Sequence, residues 1–237
     1  MFIDSPVHGE LVEGGATGKQ GNSSAGDLKV APTSLRGHTG VVASDSERFW
    51  DERYRDEEAV PERGPADFLV EHRSLLPPAG RALDVAMGTG RNTLYLASLG
   101  YEVTGIDVSG VAVARCRAEA ATRGLRVEAV QADLESYQLA REAYDVVIDF
   151  YYLQRELAPA LVAALRPGGA LVFESFTTEQ RRFGWGPQQE DFLLRPKELR
   201  TLFAGLEELV YREGLVESQS GRGTKAVAGL VARKPEA

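Results

Sequence analysis

The stretch Arg81-Ala-Leu-Asp-Val-Ala-Met-Gly-Thr-Gly-Arg-Asn92 decides the fold. Its first five residues read as a short buried strand, with Asp84 near the end. A turn containing Gly88 and Gly90 follows, and a helical pattern then runs on to Leu99. A glycine turn between strand and helix lets backbone approach a ligand closely, and a carboxylate at a strand end accepts hydrogen bonds. What this turn can hold depends on the residues that the rest of the chain brings beside it.

Downstream, strand and helix patterns alternate. Strands are predicted over 81–86, 102–107, 126–131, 144–150 and 170–176. Helices are predicted over 91–99, 110–122 (with Ser109 as N-cap) and 156–165, where Pro159 falls at a tolerated early position. Arg166-Pro-Gly-Gly169 reads as a tight turn, and 134–141 as a looser connection. A helix over 196–203 precedes two last strands, 206–212 and 225–233, joined by an SQSGRG hairpin loop. Short, almost wholly apolar strands separated by helices imply a parallel sheet covered on both faces. The expectation is an α/β fold with a single doubly wound, mostly parallel seven-stranded sheet, helices on both faces and an antiparallel C-terminal edge. This core spans 81–237.

Upstream, residues 45–80 are expected to form a cap of two helices. The first, 47–58, opens on a Ser44…Glu47 capping box and carries Phe49, Trp50 and Tyr54. The second, 66–76, carries Phe68, Leu69, His72, Leu75 and Leu76 on one face and ends at Pro77-Pro78-Ala79-Gly80. Residues 1–44 are rich in Gly, Ser and Thr and read as a flexible leader. His8 and His38 lie there without cysteines or paired carboxylates, so no metal site is expected.

Composition narrows the function. With 237 residues and a formal charge of -8, the chain has no general electrostatic grip on nucleic acid or anionic lipid. Its one cysteine, Cys116, sits in an apolar helical pattern and reads as a packed thiol, with no disulfide framework. No run is apolar enough to span a bilayer, and the start lacks the pattern of a signal peptide, so the cytoplasm is the expected location. Oligomeric state is not legible.

In a doubly wound sheet, ligands collect beyond the carboxyl ends of the strands. Here those ends carry Asp84, Asp107, Asp133 and Asp149 around the glycine turn. A dinucleotide would call for G-x-G-x-x-G, but Gly88-Thr-Gly90-Arg-Asn-Thr93 lacks the third glycine, and extra carboxylates suit a pyrophosphate poorly. An aminoacyl nucleoside without phosphate suits them better. Its ammonium calls for acceptors near Asp84 and the turn, its ribose hydroxyls for Asp107, and its adenine amino group for Asp133.

Six motifs now stand in order: FWDERY (49–54), LDVAMGTGRNTLYLASLGYEVTGIDVS (83–109), QADLE (131–135), YDVVIDFYYLQR (144–155), LRPGGALVFESF (165–176) and FLLRPKEL (192–199). With them the chain resembles the class I S-adenosylmethionine-dependent methyltransferases, and within them the tellurite-resistance-protein-like small-molecule branch. The resemblance covers about 49–233. It implies S-adenosyl-L-methionine as cofactor and a small-molecule acceptor, such as a chalcogen oxyanion or thiol, with no nucleic acid or membrane partner. It also implies that Asp84 and Gly88 surround the methionine moiety, that Gly90 permits close backbone approach, that Asp107 holds the ribose, that Asp133 with Leu134 frames the adenine, and that Ala86 and Val108 belong to the same cofactor site. Asp149, Tyr151 and Tyr152 would face the methyl group and acceptor as the catalytic residues. Asp149 or a tyrosine would serve as base for a hydroxyl or ammonium acceptor, and Asp149 would also touch the cofactor. Glu174 and Arg195 would enclose the mouth, and Trp50 and Tyr54 would form either an aromatic lid over the cofactor or an apolar stripe that docks their helix. The family often has glycine at the position of Ala86 and a small polar residue or cysteine at that of Met87. An NAD-dependent oxidoreductase and a non-catalytic cofactor-binding module are the alternatives.

Overall fold

The structure, a computed structural model, describes residues 44–56 and 64–236. The leader, with His8 and His38, and the last residues of the first expected helix lie outside the described residues. Seven strands form one sheet in the order β3-β2-β1-β4-β5-β7-β6. They are β1 (Arg81–Val85), β2 (Glu102–Asp107), β3 (Val127–Gln131), β4 (Tyr144–Phe150), β5 (Leu165–Phe176), β6 (Glu207–Glu217) and β7 (Thr224–Arg233). The first five are parallel, while β7 runs antiparallel to both β5 and β6. Order reverses between β1 and β4, which makes the carboxyl ends of these strands the natural ligand crevice.

Alternation sends side chains to opposite faces. Leu83, Val85, Val147, Leu171 and Phe173 join one apolar cluster with α5 (Ala158–Ala164) and α6 (Glu198–Leu202). Ala82, Val146, Ile148 and Val172 join a second with α2 (Asp67–Glu71) and α3 (Arg91–Ser98). Helix α4 (Gly110–Thr122) packs on β2 and β3, its Val113 and Cys116 against Met87 and Ala129. The Cys116 thiol is fully buried, and that burial raises its pKa to about 12, so it is the packed thiol expected.

Several elements depart from their sequence-based limits, each for a local reason. The first helix, α1, is Asp45–Arg55; Ser44 Oγ accepts the Glu47 amide as its cap. The second helix stops at Glu71 and continues as a 3-10 turn over Arg73–Leu75. There the His72 ring donates to the Phe68 carbonyl at 2.9 Å, while the His72 amide turns to Val70. Helix α6 starts late because Lys197 holds a left-handed conformation (φ 60°). The Arg166-Pro-Gly-Gly turn is instead the bulged start of β5, whose register on β4 shifts between Tyr144 and Val146. Strand β6 extends to Glu217 because β7 offers it a partner as far as Thr224.

Candidate functional site

A cavity of about 1370 Å³ opens beyond the carboxyl ends of the parallel strands. Trp50, Tyr54, Asp84, Ala86, Gly88, Asp107, Val108, Asp133, Leu134, Tyr151 and Tyr152, all expected from sequence, lie on its wall. Four expected residues do not: Asp149, Gly90, Arg195 and Glu174. Asp149 is 1% exposed, behind the wall, where its carboxylate accepts the Tyr152 amide at 3.3 Å. Burial raises its pKa well above the usual carboxylate range, and nearby Asp84 raises it further. Gly90 (φ 88°) faces helix α4: a β-carbon there would overlap the Cys116 sulfur, so this glycine serves helix packing rather than ligand approach. Arg195 is also misplaced by the sequence reading, being an exposed residue paired loosely with Glu190 at 4.0 Å.

The glycine turn is braced by the strand ends on either side. Asp107, buried at the end of β2, accepts the Gly88 amide at 2.8 Å with one oxygen and the Ser109 amide at 2.9 Å with the other. Each carboxylate oxygen has a second lone pair, so both remain able to take a ligand hydroxyl. Asp84 is 1% exposed and accepts the Thr93 hydroxyl at 2.6 Å. Burial is the main cause that lifts Asp84 to about 7 and Asp107 to about 6, against 3.8 for an ordinary aspartate. Ala86 keeps φ at 51°, the left-handed conformation that explains why glycine is favoured there. Met87, the other departure, lays its thioether over Gly105 of β2.

Helix α1 covers this turn. Tyr54 points its hydroxyl at Gly88, where an added β-carbon would come within 2.8 Å of it, and Trp50 stacks on Tyr54 at 5.8 Å. The helix is pinned through Asp51, which accepts the Ser109 hydroxyl at 2.6 Å and the Val111 amide at 3.2 Å at the start of α4. Gln131 donates to Glu47 at 3.0 Å. Asn92 accepts the Ala66 amide at 2.8 Å and so ties the α2 segment to α3. Arg91 stands at the cavity edge, its guanidinium 5.9 Å from the Tyr151 ring centre.

The opposite wall holds a charged cluster that sequence reading largely missed. Tyr151, in a left-handed conformation (φ 68°), donates its hydroxyl to Glu174. Lys225 of β7 donates to the same Tyr151 oxygen and to Glu174 at 3.2 Å, and Arg212 of β6 holds the other Glu174 oxygen at 2.7 Å. Burial lowers the Lys225 pKa. Only an ionisable residue inside the otherwise apolar run of β7 hinted at this partner.

The carboxylates of the cavity wall are confined to one side, which Arg53, Arg91, Arg115 and Arg123 also line. Every carboxylate on its wall among the described residues (Asp84, Asp107, Glu119, Asp133, Glu135) comes from the β1–β2–β3 side. On the β4–β5–β7 side the charged lining residues are Lys225 and Arg222. The carboxylate-bearing side, with buried Asp84 and Asp107 at its close-approach turn, fits an aminoacyl nucleoside carrying positive charge. Such a ligand favours the ionised form of a carboxylate that burial otherwise disfavours.

Comparison with known proteins agrees. Residues 82–169 match the family model of a methyltransferase domain. A probable S-adenosyl-L-methionine-dependent methyltransferase, TehB of Haemophilus influenzae, is 26% identical over 179 residues, covering 70% of this chain and 61% of TehB. The chain thus spans about six tenths of the length of that relative. The crystal structure of TehB from the same organism superposes with a TM-score of 0.58, at 23% identity over 79% of this chain and 66% of that one. A structure titled for conversion of a disulfide bond into a thioacetal group during echinomycin biosynthesis gives 0.60, at 27% identity over 80% and 92%. Among the described residues no helix is long and apolar enough to cross a membrane, and no cluster suited to a metal ion is present. Residues 82–169 thus carry a methyltransferase domain, and the chain is similar to S-adenosyl-L-methionine-dependent methyltransferases, TehB among them.

Proposed function

We propose that this protein transfers a methyl group from S-adenosylmethionine to a small-molecule acceptor whose attacking atom is a thiol sulfur or another chalcogen. The observation that carries the reading is that one cavity has a turn-lined side holding all its wall carboxylates, interspersed with arginines, and an aromatic side that has no carboxylate among the described residues and carries Lys225, an arrangement set by strand order. When bound, the sulfonium supplies both the reactive methyl group and the leaving group.

The chain's residues then have to bind, orient and exclude water. Asp107 accepts ribose hydroxyls while keeping Gly88 in place, Asp133 and Leu134 flank the adenine, and Asp84 faces the charged amino-acid portion. Trp50 and Tyr54 cover the turn from α1, so that residues 45–80 act as the cap. Alignment and loss of competing water provide much of the acceleration in such a transfer.

The acceptor atom is read from the aromatic side of the wall, which carries neither a carboxylate nor a histidine among the described residues. Asp149 stands behind it, and no histidine lines it among the described residues. A hydroxyl or ammonium acceptor needs a base, whereas a thiolate or a chalcogen lone pair does not. The relatives' names do not decide this: one sequence relative, from Nitrosococcus oceani, is named a ubiquinone biosynthesis O-methyltransferase, at 29% identity over 136 residues.

Calorimetry with S-adenosylmethionine, followed by S-adenosylhomocysteine formation against thiols, chalcogen oxyanions, phenols and amines, tests the reading. Saturable cofactor binding and turnover of the sulfur or chalcogen arm are expected. Absence of cofactor binding would refute the function, and turnover confined to phenols or amines would refute the acceptor atom.

A further inference from the structure

Resting on the reading above, we infer that the acceptor is an aromatic acid: a flat apolar body held by Phe176 and Trp185, bearing a carboxylate bound by Lys225 beside Tyr151. Three aromatic rings stand in a row on the acceptor side. Tyr151 and Phe176 lie 5.1 Å apart, and Trp185 meets Phe176 edge-on at 6.0 Å. All three line the cavity. Lys225 stands at the Tyr151 end, its nitrogen 4.8 Å from the Tyr151 ring centre.

The sequence brings them together through the sheet. Phe176 ends β5, and its register partner is Val227 of the antiparallel β7, so Lys225 falls just beyond that end of β5. Tyr151 follows β4 directly, and its left-handed backbone leaves its amide on the Glu174 carbonyl at 2.8 Å, beside β5. A non-glycine residue held at positive φ carries strain that the surrounding contacts must sustain. Here they are the hydroxyl bond to Glu174 and the Lys225 nitrogen.

Charge sets the sign of the ligand. Glu174 is the carboxylate nearest Lys225, but it is 1% exposed and set behind the wall, and it is shared with Arg212. No Asp or Glu of this half lines the cavity among the described residues, while Arg91 contributes a further guanidinium at the Tyr151 ring. Lys225 has three N–H donors, and Tyr151 and Glu174 take two, which leaves one for a ligand. An ammonium so placed selects an anionic group over a neutral or cationic one.

Shape sets the body. An inorganic oxyanion is small, strongly hydrated and best held by many convergent donors. The row of rings offers few donors and a large apolar area, which rewards a flat, poorly hydrated body. A planar acid uses the rings and the ammonium together.

The test compares 2-mercaptobenzoate with thiophenol. In either case the sulfur lone pair forms the new C–S bond, the sulfonium C–S bond breaks to give S-adenosylhomocysteine, and the thiol proton goes to solvent. Wild type should prefer 2-mercaptobenzoate at least tenfold in kcat/KM, and Lys225→Met should abolish the preference while Lys225→Arg retains part of it. Independently of turnover, salicylate should quench Trp185-dependent fluorescence saturably, with affinity at least tenfold weaker in Lys225→Met; a Trp185→Phe control assigns the signal. Equal use of the two thiols, salicylate binding indifferent to Lys225, or selenite turnover exceeding both thiols and insensitive to Lys225→Met would each overturn the inference. Failure of the protein to bind S-adenosylhomocysteine would instead remove the methyltransferase reading, and salicylate binding would still decide the aromatic-acid pocket.

Discussion

Asp84→Asn should change how stability and cofactor affinity depend on pH, more than it changes the fold. Asp84 is 1% exposed, and burial raises its pKa from 3.8 to about 7, partly offset by the Thr93 hydroxyl. An acid whose folded pKa is raised binds its proton more tightly when folded. Its contribution to stability is therefore full below the unfolded value and is lost as pH rises through about 7. Each pH unit between the two values removes about 1.4 kcal/mol. Going from pH 5 to pH 8 should then cost the wild type about 3 kcal/mol relative to the D84N variant, which cannot ionise but can still accept from Thr93. Urea unfolding of both proteins across this range measures the difference. A positively charged ligand also favours ionised Asp84, so wild-type affinity for S-adenosylmethionine should rise between pH 6 and 8, and the D84N variant should lose that rise. Parallel stability curves for the two proteins would refute the burial argument; a pH-independent wild-type affinity would place the ligand's charge away from Asp84.

Three further outcomes follow from the geometry. Gly90→Ala should destabilise the fold, because the new methyl group overlaps the Cys116 sulfur, and Cys116→Gly in the same chain should restore part of the loss in thermal melts; no rescue would mean that backbone strain alone decides this position. Ala86→Gly should stabilise by up to about 1 kcal/mol, since alanine at positive φ is strained, while S-adenosylmethionine affinity stays within a few-fold; a loss of stability would show that the methyl group packs usefully. In hydrogen exchange, S-adenosylmethionine should protect 47–54, and Asp51→Ala should speed exchange there in the free protein by freeing α1 from Ser109 and Val111; equal protection with and without ligand would make Trp50 and Tyr54 a fixed brace.

The sequence by itself determined the α/β class, the number of strands and the acidic strand ends, because these follow from apolar runs, helical periods and turn residues close together in the chain. It also placed the glycine turn and most of the wall, since each strand end is marked by the residue that follows its apolar run. Tertiary structure decided which way side chains point and which distant strands become neighbours. Asp149 ends β4 as Asp107 ends β2, yet one is sealed behind the wall and the other braces Gly88. Gly90 and Gly88 share one motif, but Gly90 meets α4 while Gly88 meets Tyr54. The Tyr151–Glu174–Lys225–Arg212 cluster draws on residues from four segments. It exists only because β7 inserts antiparallel between β5 and β6, a pairing set by sheet packing rather than by any local signal.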